Sequence, residues 1–156
     1  MSFEIRILSF GTKRDFYTPE IERYVKMTAP FCPLHVETLK SSLSTQESVR
    51  DILDKEEKQL RAKIPAGAYV VVLAEEGRLM EGSAPFSRWL QKRRELSVPL
   101  VLILGNAYGI SAALKKDADE LISLSPLTMP YSICLLVITE QIYRANTILS
   151  GHPYHK

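Results

Sequence analysis

At 156 residues the chain is long enough for one domain with a real hydrophobic core, and its composition excludes a disordered polyelectrolyte. A formal net charge of +2 excludes a protein that coats nucleic acid non-specifically, while leaving room for an enzyme that touches RNA locally.

The opening M-S-F-E-I-R-I-L carries charges where a signal peptide needs its apolar stretch. Residues 3–10 alternate in apolarity and read as a first strand, ended by Gly11. Thr18 followed by Pro19 is the pattern of a helix start, and Ile21, Tyr24, Val25 and Thr28 form its inner face before Pro30 and Pro33 stop it. Leu34, Val36 and Leu39 alternate as a short strand. Ser44 and Glu47 have the spacing of a capping box. The helix it opens has Val49, Ile52, Leu53, Leu60 and Ile64 on its apolar face and Gly67 near its end.

Residues 68–74 are nearly continuous β-branched and apolar sequence, as expected of a strand buried on both faces. Ser83 is expected to cap the next helix, with Phe86, Trp89 and Leu90 inward and Lys92, Arg93 and Arg94 outward. Residues 99–104 form a second fully buried strand, 111–118 a short helix, 121–125 a fifth strand, and about 133–149 the last helix. Strands alternate with helices throughout, so the fold class is α/β, a mostly parallel sheet with helices on both faces in one domain over residues 1–156.

The apolar run 133–138 is too short to cross a bilayer before Glu140 interrupts it. Cys32 and Cys134 sit among apolar residues without C-x-x-C or Cys/His spacing, which points to buried free thiols in a reducing compartment. A cytoplasmic protein with neither a membrane nor a DNA partner is expected.

Function is concentrated in the last third. A buried strand runs into the glycine-bracketed loop L-I-L-G-N-A-Y-G, and a second strand runs into the proline-bracketed loop S-P-L-T-M-P. Paired strand-to-loop exits of this kind build ligand crevices at the carboxyl ends of α/β sheets. The first loop lacks G-x-G-x-x-G and a Walker lysine, so it reads either as a ligand loop or as a tight turn. In the second, Pro126 and Pro130 stiffen a largely apolar backbone suited to a purine ring, or simply to a well-packed connection. The last helix is apolar almost all round in its first half, so Cys134, Leu135, Ile138, Ile142 and Ile148 are core or an interface with a second copy. Arg144 stands alone in that apolar stretch. The tail ends G-H-P-Y-H-K; its two histidines lack a third ligand and zinc spacing, so no metal is expected.

The order of glycine loop, L-S-L-S-type strand, T-x-P loop, E-Q-I-Y-R-A helix and terminal P-Y-H-K resembles the RlmH family. These are SPOUT-class methyltransferases acting on N3 of a pseudouridine in 23S ribosomal RNA of the large subunit. The carriers are Gly105, Gly109, residues 121–125, Thr128, Pro130, residues 140–145, Gly151 and residues 153–156, and the match extends over essentially the whole chain. The resemblance implies a C-terminal trefoil knot over about residues 101–156 and a homodimer that binds S-adenosylmethionine. It places that cofactor against Leu73, Gly105, Leu124, Ser125, Pro126, Leu127, Thr128 and Met129. Catalytic roles fall to Arg144, Tyr154 and His155, near the methylated ring at the dimer interface: either His155 accepts the N3 proton or Arg144 instead stabilises negative charge on a ring carbonyl, with Tyr154 orienting the base by stacking or hydrogen bonding. The implied partner is 23S ribosomal RNA, in the large subunit or the assembled ribosome.

Three positions depart from the family pattern. Asn106 stands where a second glycine is usual, Tyr131 where histidine is common, and Leu135 where many members carry arginine. The last two remove polar groups that meet RNA and leave the two cofactor loops in place. The rival expectations are a non-catalytic RNA- or ribosome-binding protein that keeps the cofactor pocket, and a flavodoxin-like module binding a nucleotide phosphate at residues 105–109.

Overall fold

The computed structural model describes residues 2–41 and 46–156. Its strands β1 (Ile5–Phe10), β2 (Leu34–Leu39), β3 (Tyr69–Leu79), β4 (Leu100–Leu104) and β5 (Glu120–Ser123) form one sheet in the order β2-β1-β4-β3-β5. Every pairing is parallel, so all the strands point their carboxyl ends at one edge. Among the described residues four helices connect them, α1 (Thr18–Thr28), α2 (Val49–Lys63), α3 (Ser83–Arg94) and α4 (Ala112–Asp117), and α5 (Tyr131–Ser150) follows β5.

The side-chain alternation of the strands sorts the core into two layers. Ile5, Ile7, Val71, Leu100, Leu102 and Ile122 face α1, α3 and α5, meeting Ile21, Phe86, Trp89, Leu90, Leu135, Ile138 and Ile142. Leu8, Phe10, Val72, Val101 and Ile103 face the other way, against Leu60 of α2 and Leu114 of α4. Strand β4 lies between β1 and β3 with no residue more than 2% exposed, which is why its sequence is unbroken aliphatic. Each such side chain contributes about 1.5–3 kcal/mol of burial.

Several local expectations are corrected. Helix α2 begins at Val49, capped by Ser48, whose hydroxyl accepts from the Asp51 N–H at 3.1 Å; the expected cap Ser44 lies outside the described residues. Val49, expected inward, is 45% exposed because the first turn faces solvent. Thr18 is the first helical residue of α1 rather than its cap, and the Asp15 carboxylate takes the Tyr17 N–H at 2.8 Å. Gly82, not Ser83, is the cap of α3, and Ser83 donates its hydroxyl to Gln141 on α5 at 2.7 Å.

Arg93 and Arg94, expected outward, turn in. Arg93 pairs with Glu120 at 2.7 Å and lies over the Tyr69 and Trp89 rings, and Arg94 donates to Asn146 on α5 above Phe3. Only Lys92 of that trio is exposed. Strand β3 runs past the expected end at residue 74: Ile122 is opposite both Leu73 and Arg78, so residues 74–77 bulge out of the ladder. A β-carbon on Gly77 would stand 2.6 Å from the Ile122 backbone, so the strand returns to β5 only with glycine there. Glu75 and Glu76, just past the expected strand, sit on the bulge. No helix among the described residues is long and apolar enough to cross a membrane.

Candidate active site

Because the strands are parallel, the bulge of β3 and the loops after β4 and β5 emerge side by side. They enclose a cavity of about 710 Å³. Leu73, Gly105, Leu124, Ser125, Leu127, Thr128 and Met129 all line it; of the eight expected cofactor residues, Pro126 alone does not. Leu73 marks the point where β3 leaves register, not the strand's end.

The first loop is held by close backbone packing. A β-carbon on Gly105 would lie 2.6 Å from the Gly109 carbonyl carbon, so any larger residue forces the loop open. Asn106 closes the turn: its side-chain oxygen accepts the Tyr108 N–H at 2.7 Å, its carbonyl accepts the Gly109 N–H at 2.9 Å, and its amide donates to Glu56 of α2. The left-handed residue here is Gly109, at φ +80°, so Asn106 does not need the conformational freedom of the glycine it replaces. In the second loop the Ser125 hydroxyl accepts the Leu127 N–H at 3.0 Å, leaving Leu127 72% exposed at the cavity rim.

The first turn of α5 completes the wall with Tyr131 and Cys134. Tyr131 packs its ring on Gly11, where a β-carbon would overlap the phenol, and its hydroxyl accepts the Thr12 N–H at 3.4 Å. It also borders a second recess of about 700 Å³ between α1 and the edge strand β2. Cys134, expected buried, is half-buried, and burial pushes its thiol up to about 11. It is therefore neutral near pH 7 and a poor nucleophile.

A cavity of this volume, with aliphatic walls from Leu73, Leu104, Ile110 and Leu124 and two backbone loops, fits an adenine nucleoside. The charged side chains in its lining, Glu75, Glu76 and Lys115, fit a ligand that also carries charge. The structure thus has room and chemistry for S-adenosylmethionine.

A second cluster forms at the other end of α5. Gly151 takes φ +73° to end the helix, the His152 N–H returns to the Thr147 carbonyl at 2.9 Å, and the tail folds back. Tyr154 then packs edge-on against Tyr143, with centroids 4.7 Å apart, and donates its hydroxyl to Glu140 at 3.0 Å. Glu140 also receives Arg144, from Nε at 3.0 Å and Nη2 at 2.7 Å. Arg144 lies 4.7 Å over the Tyr154 ring, and its Nη1 is 3.2 Å from His155 Nδ1. The hydrogen bond to Glu140 raises Arg144 further above neutrality, so it is a fixed cation. Burial, then hydrogen bonds with Tyr24 and Glu140, raise the Tyr154 phenol, which stays protonated.

The expected catalytic residues Arg144, Tyr154 and His155 are thus in mutual contact, and the cofactor residues share one cavity. Within one chain the two groups stay apart: Cys134 on the cavity wall and Arg144 are ten residues distant on one helix, about 15 Å along its axis. Glu140, the shared acceptor, was quoted in the sequence only as part of a motif; its i,i+4 spacing to Arg144 was the signal available. Among the described residues no group of three or more His, Cys, Asp or Glu could hold a metal ion.

A family model described as "Predicted SPOUT methyltransferase" matches residues 3–155. A protein from Gemmatimonas aurantiaca named ribosomal RNA large subunit methyltransferase H is 37% identical over 136 residues, which cover 87% of this chain and 88% of that one. The protein of the same name from Bacteroides fragilis is 35% identical over 146 residues, 92% of each chain. A solved structure of a probable methylase family protein from Haemophilus influenzae Rd KW20 superposes with a TM-score of 0.56 at 9% identity. It covers 97% of this chain and 70% of its own, a likeness of fold alone.

Proposed function

The chain belongs to the SPOUT methyltransferase family, and we propose that it transfers a methyl group from S-adenosylmethionine to N3 of a pseudouridine in 23S ribosomal RNA. The observation that carries this reading is the convergence of seven of the eight expected cofactor residues on one cavity. The RNA substrate rests on the name that relatives more than a third identical bear. The reading takes the chain as a single cytoplasmic domain whose last third is threaded as a trefoil knot.

When bound, the cofactor supplies an electrophilic methyl group on a sulfonium. The cavity residues would hold it: the apolar walls would exclude water, and the rigid loops at Gly105 and Ser125 would fix its position. The neutral Cys134 thiol does not compete for the methyl.

The second cluster handles the base. A guanidinium offers only N–H groups, so in a hydrogen bond with His155 it is Nδ1 that accepts. As Arg144 Nη1 passes to a ring carbonyl of the incoming base, with Nε and Nη2 still on Glu140, it frees Nδ1 to take the N3 proton. One movement then supplies both a cation for the developing negative charge and a lone pair for the proton. Glu140 keeps Arg144 and Tyr154 in place, and Tyr154 orients the base.

The separation along α5 supports a homodimer as the active form, with the cavity of one copy meeting the Arg144 cluster of the other. Its partner is the large subunit or the assembled ribosome. With Arg93 and Arg94 engaged internally, Lys92 is what remains of that basic run for phosphate contact.

Incubating the protein with labelled S-adenosylmethionine and ribosomes that lack the modification tests the reading. Label mapped to one N3 of a large-subunit pseudouridine is expected. Cofactor binding without label in RNA overturns the enzymatic part and favours a non-catalytic binder.

A further inference from the structure

The lining of the cofactor cavity holds three charged side chains, Glu75, Glu76 and Lys115. The two carboxylates project from the bulge of β3, and Lys115 comes from α4. Lys115 Nζ stands 2.6 Å from Glu76 Oε1, so the pair links two walls of the cavity. The hydrogen bond from Lys115 holds the Glu76 carboxyl below its usual range. Both side chains keep solvent access, 27% for Lys115 and 57% for Glu76, so the bridge sits at the open edge rather than in the packed wall.

The charges also match in kind. The cavity offers two carboxylates and one ammonium; S-adenosylmethionine carries two cations, its sulfonium and α-ammonium, and one α-carboxylate. We infer that the Lys115–Glu76 pair opens to receive the amino-acid end of the cofactor, Lys115 taking its carboxylate and Glu76 its ammonium. This rests on the cofactor reading above. Each side chain exchanges one exposed partner for another, and exposed pairs hold weakly, so the exchange costs little. The aliphatic inner wall is left for the adenine. In the free protein the ion pair keeps the two charges satisfied, and it sets a preference for ligands that bear both charges over those that bear neither.

Two ligands separate the ends of the cofactor. S-adenosylhomocysteine has the amino-acid end, and 5′-methylthioadenosine lacks it. Calorimetric titration of both into the wild type, Lys115→Met and Lys115→Arg reads the contribution of that end directly. Lys115→Met is expected to weaken S-adenosylhomocysteine about tenfold or more while leaving 5′-methylthioadenosine within about twofold of wild type. Lys115→Arg keeps the charge and stays near wild type. If Lys115→Met lowers the unfolding midpoint, Glu76→Gln replaces it, and the same selective loss is expected. Equal losses for both ligands, or none for either, overturn the inference and leave the cofactor reading standing. A wild-type protein that binds neither ligand overturns both.

Discussion

Tyr154, in the chain's last three residues, donates its hydroxyl at 3.0 Å to Glu140, and the same carboxylate oxygen receives Arg144 Nε at 3.0 Å. One acidic side chain thus holds two of the groups assigned to the substrate. Glu140→Gln keeps the shape and removes the charge that fixes Arg144. Its expected effect is a fall in kcat of about 10²-fold, the scale of a misplaced catalytic group. S-adenosylhomocysteine affinity is expected to stay unchanged, because the cavity lies at the other end of α5. Steady-state kinetics alongside calorimetry checks both halves.

Gly105→Ala tests the cavity itself. The added carbon would stand 2.6 Å from the Gly109 carbonyl carbon and would move the loop. Cofactor affinity is expected to fall about tenfold or more, with about 1–3 kcal/mol of stability lost to the steric clash. Chemical denaturation and ligand titration measure the two effects separately.

Cys134 gives a chemical test of burial. With its thiol pushed to about 11, only a minute thiolate fraction exists near neutrality. Iodoacetamide at pH 7.5 is expected to leave Cys134 unmodified in the native protein and to label it fully after denaturation, as peptide mapping would show. Cys134→Ser is expected to retain methyl transfer, since the thiol has no chemical role in the reading.

Glu120 gives a pH test of the sheet's far end. Burial works against its ionisation, but hydrogen bonds from Arg78, Arg93 and Trp89 outweigh it and hold the carboxyl below its ordinary value of 4.5. A folded value lower than the unfolded one means the stabilisation is complete above about pH 4.5 and is lost as pH falls through the depressed folded value. Glu120→Gln is expected to cost about 1–3 kcal/mol at pH 7 and to flatten the acid limb of the stability profile. Urea denaturation at pH 7 and near pH 3.5 reads both.

The sequence made the architecture legible because the parallel strands are buried on both faces and so read as unbroken apolar runs, as in residues 100–104. It misjudged β3, where Glu75 and Glu76 look like a strand's end although the chain only bulges and returns at Arg78. Arg93 and Arg94 read as solvated charges because nothing local announces a partner: Glu120 and Asn146 are 27 and 52 residues away. The departures from the family pattern were visible, but their compensation was not. Asn106 closes its turn through side-chain bonds, one of them to Glu56, and Tyr131 finds space over Gly11. Both depend on contacts between segments far apart in sequence, which spacing does not encode. The Arg144 cluster was foreshadowed by the family motif, whereas its distance from the cavity follows only from the rise of α5.

That distance makes the shared site the central claim. It is tested most directly by mixing two variants that are each inactive alone, Gly105→Arg with a blocked cavity and Arg144→Ala with a broken cluster. Co-expressed in equal amounts, half of the dimers pair one variant with the other, and each of those holds one intact cavity facing one intact cluster. Methyl transfer to ribosomes is then expected to recover to about a quarter of wild type. If the mixed dimers form and no activity returns, cavity and cluster do not meet across two copies, and the composite site is contradicted.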